Sequence, residues 1–314
     1  MTARAEAGPR GAIARGRDVR MGGRWSRGQR AKNAAIHAAI RVAIALLARL
    51  PPGVARALGR GAGAIAHAAL RGARRTARAN VARALPALDP AARRAIVRGA
   101  YRALGGHLGD AVASLHPGRE AALLPFPDAD RRALDEARAE GRGVVFVSAH
   151  LGPWERVAAT LVAAGVPLTT IARESYDPRL TSLYDRLRGG RGVRSIYRGD
   201  PRAPVQIVRT LRRGGVLGAP MDLKSRVASA VVDFLGAPAS TPIGPARIAL
   251  RTGAAVVVGT VAPSPSGLVL AIRRISTSDI TPGDVVELTA RLNRELSARI
   301  LALPSEWVWM HDRW

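Results

Sequence analysis

A chain of 314 residues with 47% hydrophobic and 23% charged residues can bury a substantial core, which argues against a disordered protein. The absence of cysteine excludes disulfide bonds, thiolate metal sites and cysteine nucleophiles. The net charge of +26 favours a polyanionic partner, namely nucleic acid, an anionic membrane surface or a phosphorylated substrate, without choosing among them.

The first thirty residues are rich in arginine and glycine and have no apolar periodicity. They lack the continuous apolar core and the cleavage site of a secretory signal peptide. We therefore predict a disordered basic arm over residues 1–30. Its arginines are Arg4, Arg10, Arg15, Arg17, Arg20, Arg24, Arg27 and Arg30.

A helix is predicted over residues 33–49, before Pro51 and Pro52. Its apolar residues recur at three- and four-residue spacing, at Ile36, Ile40, Ile44 and Leu47. The longest uncharged run, residues 42–48, is far shorter than the ~20 residues that span a bilayer. The pattern favours a helix that lies in the membrane interface, and the alternative is an ordinary helix packed on the core.

Alanine-rich helical segments continue through residues 53–115, where Asp89 and Pro90 form an N-cap and first-turn pattern. We predict a helical, membrane-associating region over 31–125. Short β-branched runs then alternate with helical stretches, which predicts an α/β domain over 126–314 with a mostly parallel central sheet flanked by helices. The predicted strands are 143–149, 166–172, 193–197, 215–219, 254–262 and 268–275.

The candidate catalytic residues follow the first predicted strand, which leads into His150. Gly152 permits a sharp turn before the next helix, whose first turn contains Glu155. A neutral imidazole can take the proton of an attacking hydroxyl, and a carboxylate on the other ring nitrogen fixes the tautomer. The alternative is a histidine that caps a strand end and a glutamate favoured by the helix dipole.

Residues 150–155 (HLGPWE) resemble the His-Phe-Gly-Asn-Trp-Glu block of the bacterial lipid A late acyltransferases, the lauroyl and myristoyl transferases of lipopolysaccharide assembly. The similarity extends in order over residues 34–314, and two departures from the family pattern, Pro153 and Leu223, could reshape acceptor recognition. Other similar blocks are 171–180 (IARESYDPRL), Leu211 to Asp222, 233–241 (DFLGAPAST) and 304–314 (PSEWVWMHDRW).

This resemblance implies a role for each matched position. His150 would be the general base and Glu155 its orienting partner. Arg173 would lie beside this pair and bind a phosphate or an oxyanion. Asp222 would either orient a substrate hydroxyl or pair with Arg173. The remaining matched positions, expected to shape substrate binding, are Gly152, Phe234, Gly236 and Thr241.

The chain ends in an aromatic cluster that contains Trp307, Trp309 and Trp314. Core packing is the default interpretation, and a membrane-interface role is the alternative. The other histidines lack the spacing of a zinc site, and we expect no metal.

The resemblance implies a glycerol-phosphate/lysophospholipid acyltransferase-like fold and an O-acyltransferase without a cofactor or a covalent intermediate. The acyl group would move from acyl carrier protein or acyl-CoA to a hydroxyl of a lipid A precursor or related glycolipid. Expected partners are acyl carrier protein, anionic membrane lipid and the glycolipid, at the cytoplasmic face of the bacterial inner membrane, with a monotopic or single N-terminal anchor.

Three alternatives to this function remain open. The acceptor could be another lysolipid or a phosphatidylinositol mannoside. A basic nucleic-acid-binding protein is more remote, because the charge is dispersed and the aromatic content is only 4%. A non-catalytic lipid-binding protein has no use for a His-Glu pair.

Overall fold

The computed structural model describes residues 24–116, 122–175, 177–281 and 283–314. Most of the predicted basic arm therefore lies outside the described residues. Its last part is helical, because Ser26 caps a helix that begins at Arg27 and accepts a hydrogen bond from the backbone N–H of Gln29 at 3.2 Å.

Five helices precede the first strand in the described part of the chain. The predicted cap of the fourth is present, since the Asp89 carboxylate accepts hydrogen bonds from the backbone of Ala91 and Ala92. The helices are α1 (Arg27–Arg49), α2 (Pro52–Ala69), α3 (Arg71–Ala84), α4 (Pro90–Ala113) and α5 (Asp128–Ala139).

Glycines allow α2 and α4 to approach each other closely. A Cβ on Gly105 would overlap the carbonyl oxygen of Gly59, and one on Gly63 would overlap that of Tyr101. Only glycine fits where backbones approach in this way, so α2 is held against α4 along most of its length. The contact aligns the arginines of α2 with one face of α4.

The central sheet has six strands in the order β3-β2-β4-β1-β7-β8. All neighbouring pairs are parallel except β7 and β8, which form an antiparallel pair. The predicted α/β class with a mostly parallel sheet is confirmed, and each of the six predicted strands is present. The strands are β1 (Val144–Ser148), β2 (Leu168–Ala172), β3 (Arg194–Tyr197), β4 (Val216–Pro220), β7 (Ala255–Ser264) and β8 (Gly267–Ile275).

A separate antiparallel hairpin, β5 (Ser229–Phe234) and β6 (Ala237–Pro242), was not predicted. Helices connect the strands and cover the sheet, and a short 3₁₀ turn (Pro304–Glu306) precedes the chain end. These helices are α6 (Trp154–Ala163), α7 (Pro178–Gly189), α8 (Ala203–Arg212), α9 (Gly244–Thr252) and α10 (Val285–Ala302).

The main core surrounds β1, whose residues Val144 to Val147 are almost fully buried. The C-terminal indoles belong to the same core, because Trp307 and Trp309 are 1% and 0% exposed. By contrast, α1 contains no buried residue, and Ile36, Val42 and Leu46 are exposed on it. In the described part of the chain, α1 is the one helix long and apolar enough to cross a membrane.

Candidate active site

The site begins where β1 and β4 end side by side. The register of these parallel strands pairs Ser148 with Pro220. His150 and Asp222 each follow two residues later, so both lie at the carboxyl edge of the sheet, where open α/β folds place their ligands. The sheet itself therefore brings together two residues that are 72 positions apart in sequence.

Asp222 is fully buried and accepts three hydrogen bonds. One oxygen, Oδ1, lies 2.9 Å from Nδ1 of His150. The other, Oδ2, accepts from the backbone N–H of His150 at 2.9 Å and from Nε1 of Trp307 at 2.8 Å. The side chain of Asp222 has 0% exposure, and that of His150 has 30%. The carboxylate is thus fixed on both oxygens, while the imidazole remains accessible.

Charge and burial act in opposite directions on this pair. Burial, the largest influence, lowers the pKa of His150, but the charge of Asp222 and its hydrogen bond outweigh burial and raise it above the ordinary value. Burial similarly opposes ionisation of Asp222, yet His150 and the donors around the carboxylate lower its pKa. An ionised Asp222 accepts the proton of Nδ1, which leaves Nε2 as the basic nitrogen for a substrate.

Glu155 does not take the predicted position beside the imidazole. It lies in the first turn of α6, where its carboxylate pairs with the guanidinium of Arg188 from α7 at 2.9 Å. The physical reason is that Asp222, from the neighbouring strand, already occupies Nδ1 of His150. Glu155 influences His150 through its charge, which raises the pKa of the imidazole, whereas Arg188 lowers it.

A cavity of about 80 Å³ opens beside His150. Three ionisable side chains line it, those of His150, Glu155 and Arg188. The rest of its wall is mainly apolar and comes from the sheet and α6, with Phe146, Trp154, Val157, Leu161, Leu168, Ile171 and Val193 among the lining residues. The imidazole of His150, held by Asp222, thus borders a space suited to hydrocarbon.

Arg173 does not contact this pair. It is exposed after β2, and in the described part of the chain it forms neither a hydrogen bond nor an ion pair. Its charge lowers the pKa of Arg198, for which burial is the larger cause. Asp222 therefore pairs with His150, and the predicted pairing of Asp222 with Arg173 is not observed.

Gly152 shapes the turn between His150 and α6. Its φ of +60° is favourable for glycine, and an added Cβ would lie 2.7 Å from a methyl carbon of Val261. Its backbone N–H donates to the carbonyl of Glu306 at 2.9 Å. Gly152 therefore fixes the backbone of the turn. It does not line the cavity beside His150, which we call the apolar cavity.

Phe234, Gly236 and Thr241 lie in or next to the β5–β6 hairpin and do not line the cavity beside His150. Gly236 forms the hairpin turn with φ +78°. Thr241 is buried, and its hydroxyl accepts hydrogen bonds from Arg313 at 2.8 Å and Asn293 at 3.0 Å. In this structure these three residues support the site and do not form its wall.

Phe234 connects the hairpin to Asp222. Its ring packs against the indole of Trp307, with 5.6 Å between centroids, and the guanidinium of Arg313 lies over the Phe234 ring at 4.3 Å from its centroid. Trp307 in turn donates to Asp222. The sequence places Trp307 in an aromatic cluster but gives no sign of its contact with Asp222, and it does not single out Arg188. The reason is that neither residue lies near His150 in the chain.

The sequence is similar to those of known proteins. The sequence model of the family "Bacterial lipid A biosynthesis acyltransferase" matches residues 28–314. Phosphatidylinositol mannoside acyltransferases of two Mycobacterium tuberculosis strains are 30% identical over 189 residues, which is 58% of this chain and 57% of theirs. The same enzyme of Mycolicibacterium smegmatis is 29% identical over 210 residues, covering 62% of this chain and 68% of the relative.

The matched segment thus spans less than two thirds of the Mycobacterium tuberculosis relatives. The family model, in contrast, covers nearly the whole chain, including His150, Asp222 and the C-terminal tryptophans. The chain belongs to the bacterial lipid A biosynthesis acyltransferase family.

Proposed function

We propose that this protein is an O-acyltransferase that moves a fatty acyl group from a thioester to a hydroxyl of a glycolipid. The observation that carries the proposal is the hydrogen bond between Nδ1 of His150 and buried Asp222, beside an apolar cavity. The orienting carboxylate in this proposal is Asp222 in place of Glu155. Family membership supports the same reaction class.

His150 acts as the general base in the proposed reaction. As the substrate oxygen attacks the thioester carbonyl, its proton passes to Nε2, and the charge of Asp222 stabilises the resulting imidazolium. The C–O bond forms and the C–S bond breaks. The imidazolium then returns the proton to the departing thiolate, so no covalent enzyme intermediate and no cofactor are required.

The apolar cavity is the proposed start of the acyl-chain site. At about 80 Å³ it is small for a long fatty chain, so we expect its apolar wall to open when the chain enters. Ring contact between Trp154 and His150, with 5.3 Å between centroids, would hold the imidazole at one end of this space.

The acyl donor is acyl carrier protein or acyl-CoA, and the acceptor is one of two glycolipids. A lipid A precursor is supported by the description of the family. A phosphatidylinositol mannoside is supported by the names of the mycobacterial relatives. Both acceptors present sugar hydroxyls beside an anionic group at a membrane surface.

The proposed location is the cytoplasmic face of the inner membrane. The exposed apolar residues of α1 continue onto α2, where Val54, Leu58 and Ile65 are also exposed. Arginines accompany both helices and would attract anionic lipid headgroups by about 1 kcal/mol each near the surface. We expect α1 to lie in the interface, as a helix with no buried face requires an apolar partner.

Acyl transfer by the purified protein tests this proposal. Acyl carrier protein and CoA thioesters of several chain lengths are supplied with each glycolipid, and mass spectrometry measures the acylated product. His150→Ala should abolish transfer, whereas His67→Ala, a control on α2 where His67 packs against Tyr101, should retain it. Transfer that persists in His150→Ala would contradict the proposed mechanism.

A further inference from the structure

A second, larger cavity lies on the other side of the turn that follows His150. It has a volume of about 540 Å³ and lies between α2, α4, the start of α6 and the 3₁₀ turn. Four arginines line it: Arg56 and Arg60 from α2, Arg102 from α4 and Arg156 from α6. We call it the basic cavity.

Positive charge exceeds negative charge in the basic cavity. Arg56 is neutralised by Asp110, with 2.7 Å between Nη2 and Oδ2. Within residues 24–116, 122–175, 177–281 and 283–314, Arg60 and Arg102 form no hydrogen bond or ion pair. Arg156 donates to two backbone carbonyls, at 2.7 and 2.8 Å. Among the residues that the structure describes, these three guanidinium groups therefore have no carboxylate partner.

Among the described residues that line the cavity, one has a carboxylate, and that carboxylate is already engaged. Oε2 of Glu306 lies 2.6 Å from Nε2 of His107. Burial is the main cause that lowers the pKa of Arg156, and the nearby positive charge of Arg56 lowers it further, while Asp110 raises it. Gathering like charges in a concave site is unfavourable unless an anion binds among them. The arrangement is typical of an anion site.

The shape of the cavity leaves room for a ligand between the arginines. Gly99, Ala103 and Gly106 of α4 line it with little or no side chain. A Cβ on Gly106 would lie only 3.0 Å from Cγ of Arg60, so this glycine lets the arginine stem lie against α4. The volume is within the ~300–1,000 Å³ usual for small-molecule sites.

The basic cavity is next to the proposed active site. Glu155 and Arg156 are consecutive in the first turn of α6, and Glu155 lines the apolar cavity whereas Arg156 lines the basic one. Gly152, two residues after His150, is hydrogen-bonded to the backbone of Glu306. A single turn of the chain therefore separates the base from the arginines.

We propose that the basic cavity binds a phosphate ester carried by a substrate, held mainly by Arg60 and Arg102. Guanidinium groups bind phosphate oxygens in a bidentate manner, and two unpaired guanidiniums can each supply such a fork. The assignment to a substrate rests on the proposed function, whereas the binding of phosphate does not. The phosphate has two possible sources, the phosphopantetheine arm of the donor and the headgroup of the lipid acceptor.

Calorimetry on the purified full chain tests the phosphate site directly. The probes are inorganic phosphate, 4′-phosphopantetheine and glycerol 3-phosphate, titrated into wild type, Arg60→Gln, Arg102→Gln and the double variant. Each substitution should weaken binding about tenfold. The control is Arg94→Gln, because Arg94 is exposed on α4, the helix that carries Arg102, and lines neither the apolar nor the basic cavity. Circular dichroism and thermal unfolding check that the variants fold, and Arg102→Lys should recover part of the affinity.

Equal dissociation constants for phosphate in wild type and the folded double variant would overturn the proposal. Preferential binding of phosphopantetheine, together with a raised KM for the donor in the variants, assigns the cavity to the donor. Preferential binding of glycerol phosphate and a raised KM for the acceptor assign it to the lipid headgroup. His150→Ala should bind each probe as wild type does, so failure of acyl transfer and failure of this site can be told apart.

Discussion

Replacing Asp222 by asparagine tests the proposed catalytic pair, because it keeps the shape of the side chain and changes its hydrogen bonding. Asparagine has one acceptor oxygen, whereas three donors surround Asp222. If that oxygen takes the position of Oδ2, it satisfies both the backbone of His150 and Trp307. The amide nitrogen then faces Nδ1 of His150.

This orientation forces the wrong tautomer on the imidazole. A donor at Nδ1 requires a lone pair there, so the proton moves to Nε2, which can no longer accept the proton of a substrate. The reverse orientation would place the amide nitrogen against two N–H donors, each left unsatisfied at a cost of about 1–3 kcal/mol. The first orientation should therefore prevail.

We expect Asp222→Asn to lower kcat by roughly 10³–10⁴-fold, as the loss of a tautomer-fixing carboxylate does in other histidine bases. This corresponds to about 4–5.5 kcal/mol in the activation barrier. Release of free thiol from the acyl donor measures the rate. The control is Asp135→Asn, since Asp135 is exposed and forms only a surface ion pair with Arg138.

The pH profile adds a second measurement. His150 must be neutral to act as a base, so the rate should rise with pH through its pKa, which Asp222 raises. In Asp222→Asn that charge is absent, so burial lowers the pKa of His150 without opposition from Asp222. The inflection in the pH profile of any residual activity should therefore move to lower pH. The reasoning is refuted if Asp222→Asn stays within about tenfold of wild type and its pH inflection is unchanged.

Three further experiments probe the rest of the structure. Glu155→Gln should lower kcat/KM, because Arg188 loses its partner in the apolar cavity, but should move the pH inflection far less than Asp222→Asn does. Gly105→Ala should lower the free energy of unfolding by about 1–3 kcal/mol in chemical unfolding. The added methyl group would force α2 away from α4, and this cost exceeds the ~1 kcal/mol by which alanine favours a helix over glycine. Gly61→Ala, where the added Cβ has open space around it, should instead stabilise the protein. Replacing both Val42 and Leu46 by glutamine should weaken binding to anionic vesicles about 10²–10⁴-fold in sedimentation, since each exposed side chain contributes about 1.5–3 kcal/mol when buried in lipid. Turnover of a detergent-dispersed substrate should be retained. Unchanged vesicle binding would show that α1 is not the membrane contact.

The strands of the central sheet could be predicted because they are short apolar runs rich in β-branched residues, and β1 and β7 in the middle of the sheet are buried over most of their length. The β5–β6 hairpin could not, because β6 (Ala237–Pro242) is rich in alanine and proline, which are depleted in strands. Tertiary contacts stabilise it instead, notably the bonds from Asn293 and Arg313 to Thr241. Those partners are more than fifty residues away in sequence.

His150, the proposed base, could be singled out from the sequence, but the carboxylate that contacts its imidazole could not. The sequence favours Glu155 because it lies five residues after His150, in the first turn of the next helix, and such local spacing is visible in a sequence. Asp222 becomes the neighbour only because β4 lies beside β1 in the sheet, although β2 and β3 intervene along the chain. The strand order is a property of the whole fold, so the sequence could identify Asp222 as a candidate without assigning its role.

The buried Asp222 also explains why the chain end belongs to the site. A carboxylate with no exposure remains ionised only if donors replace the water that it has lost, and the imidazole alone occupies one of its oxygens. Trp307 supplies a donor to the other oxygen, and Phe234 and Arg313 pack behind that indole. The proposed base is therefore complete only when the C-terminal segment has packed against the sheet, which couples the proton-accepting state of His150 to the folding of the last residues of the chain.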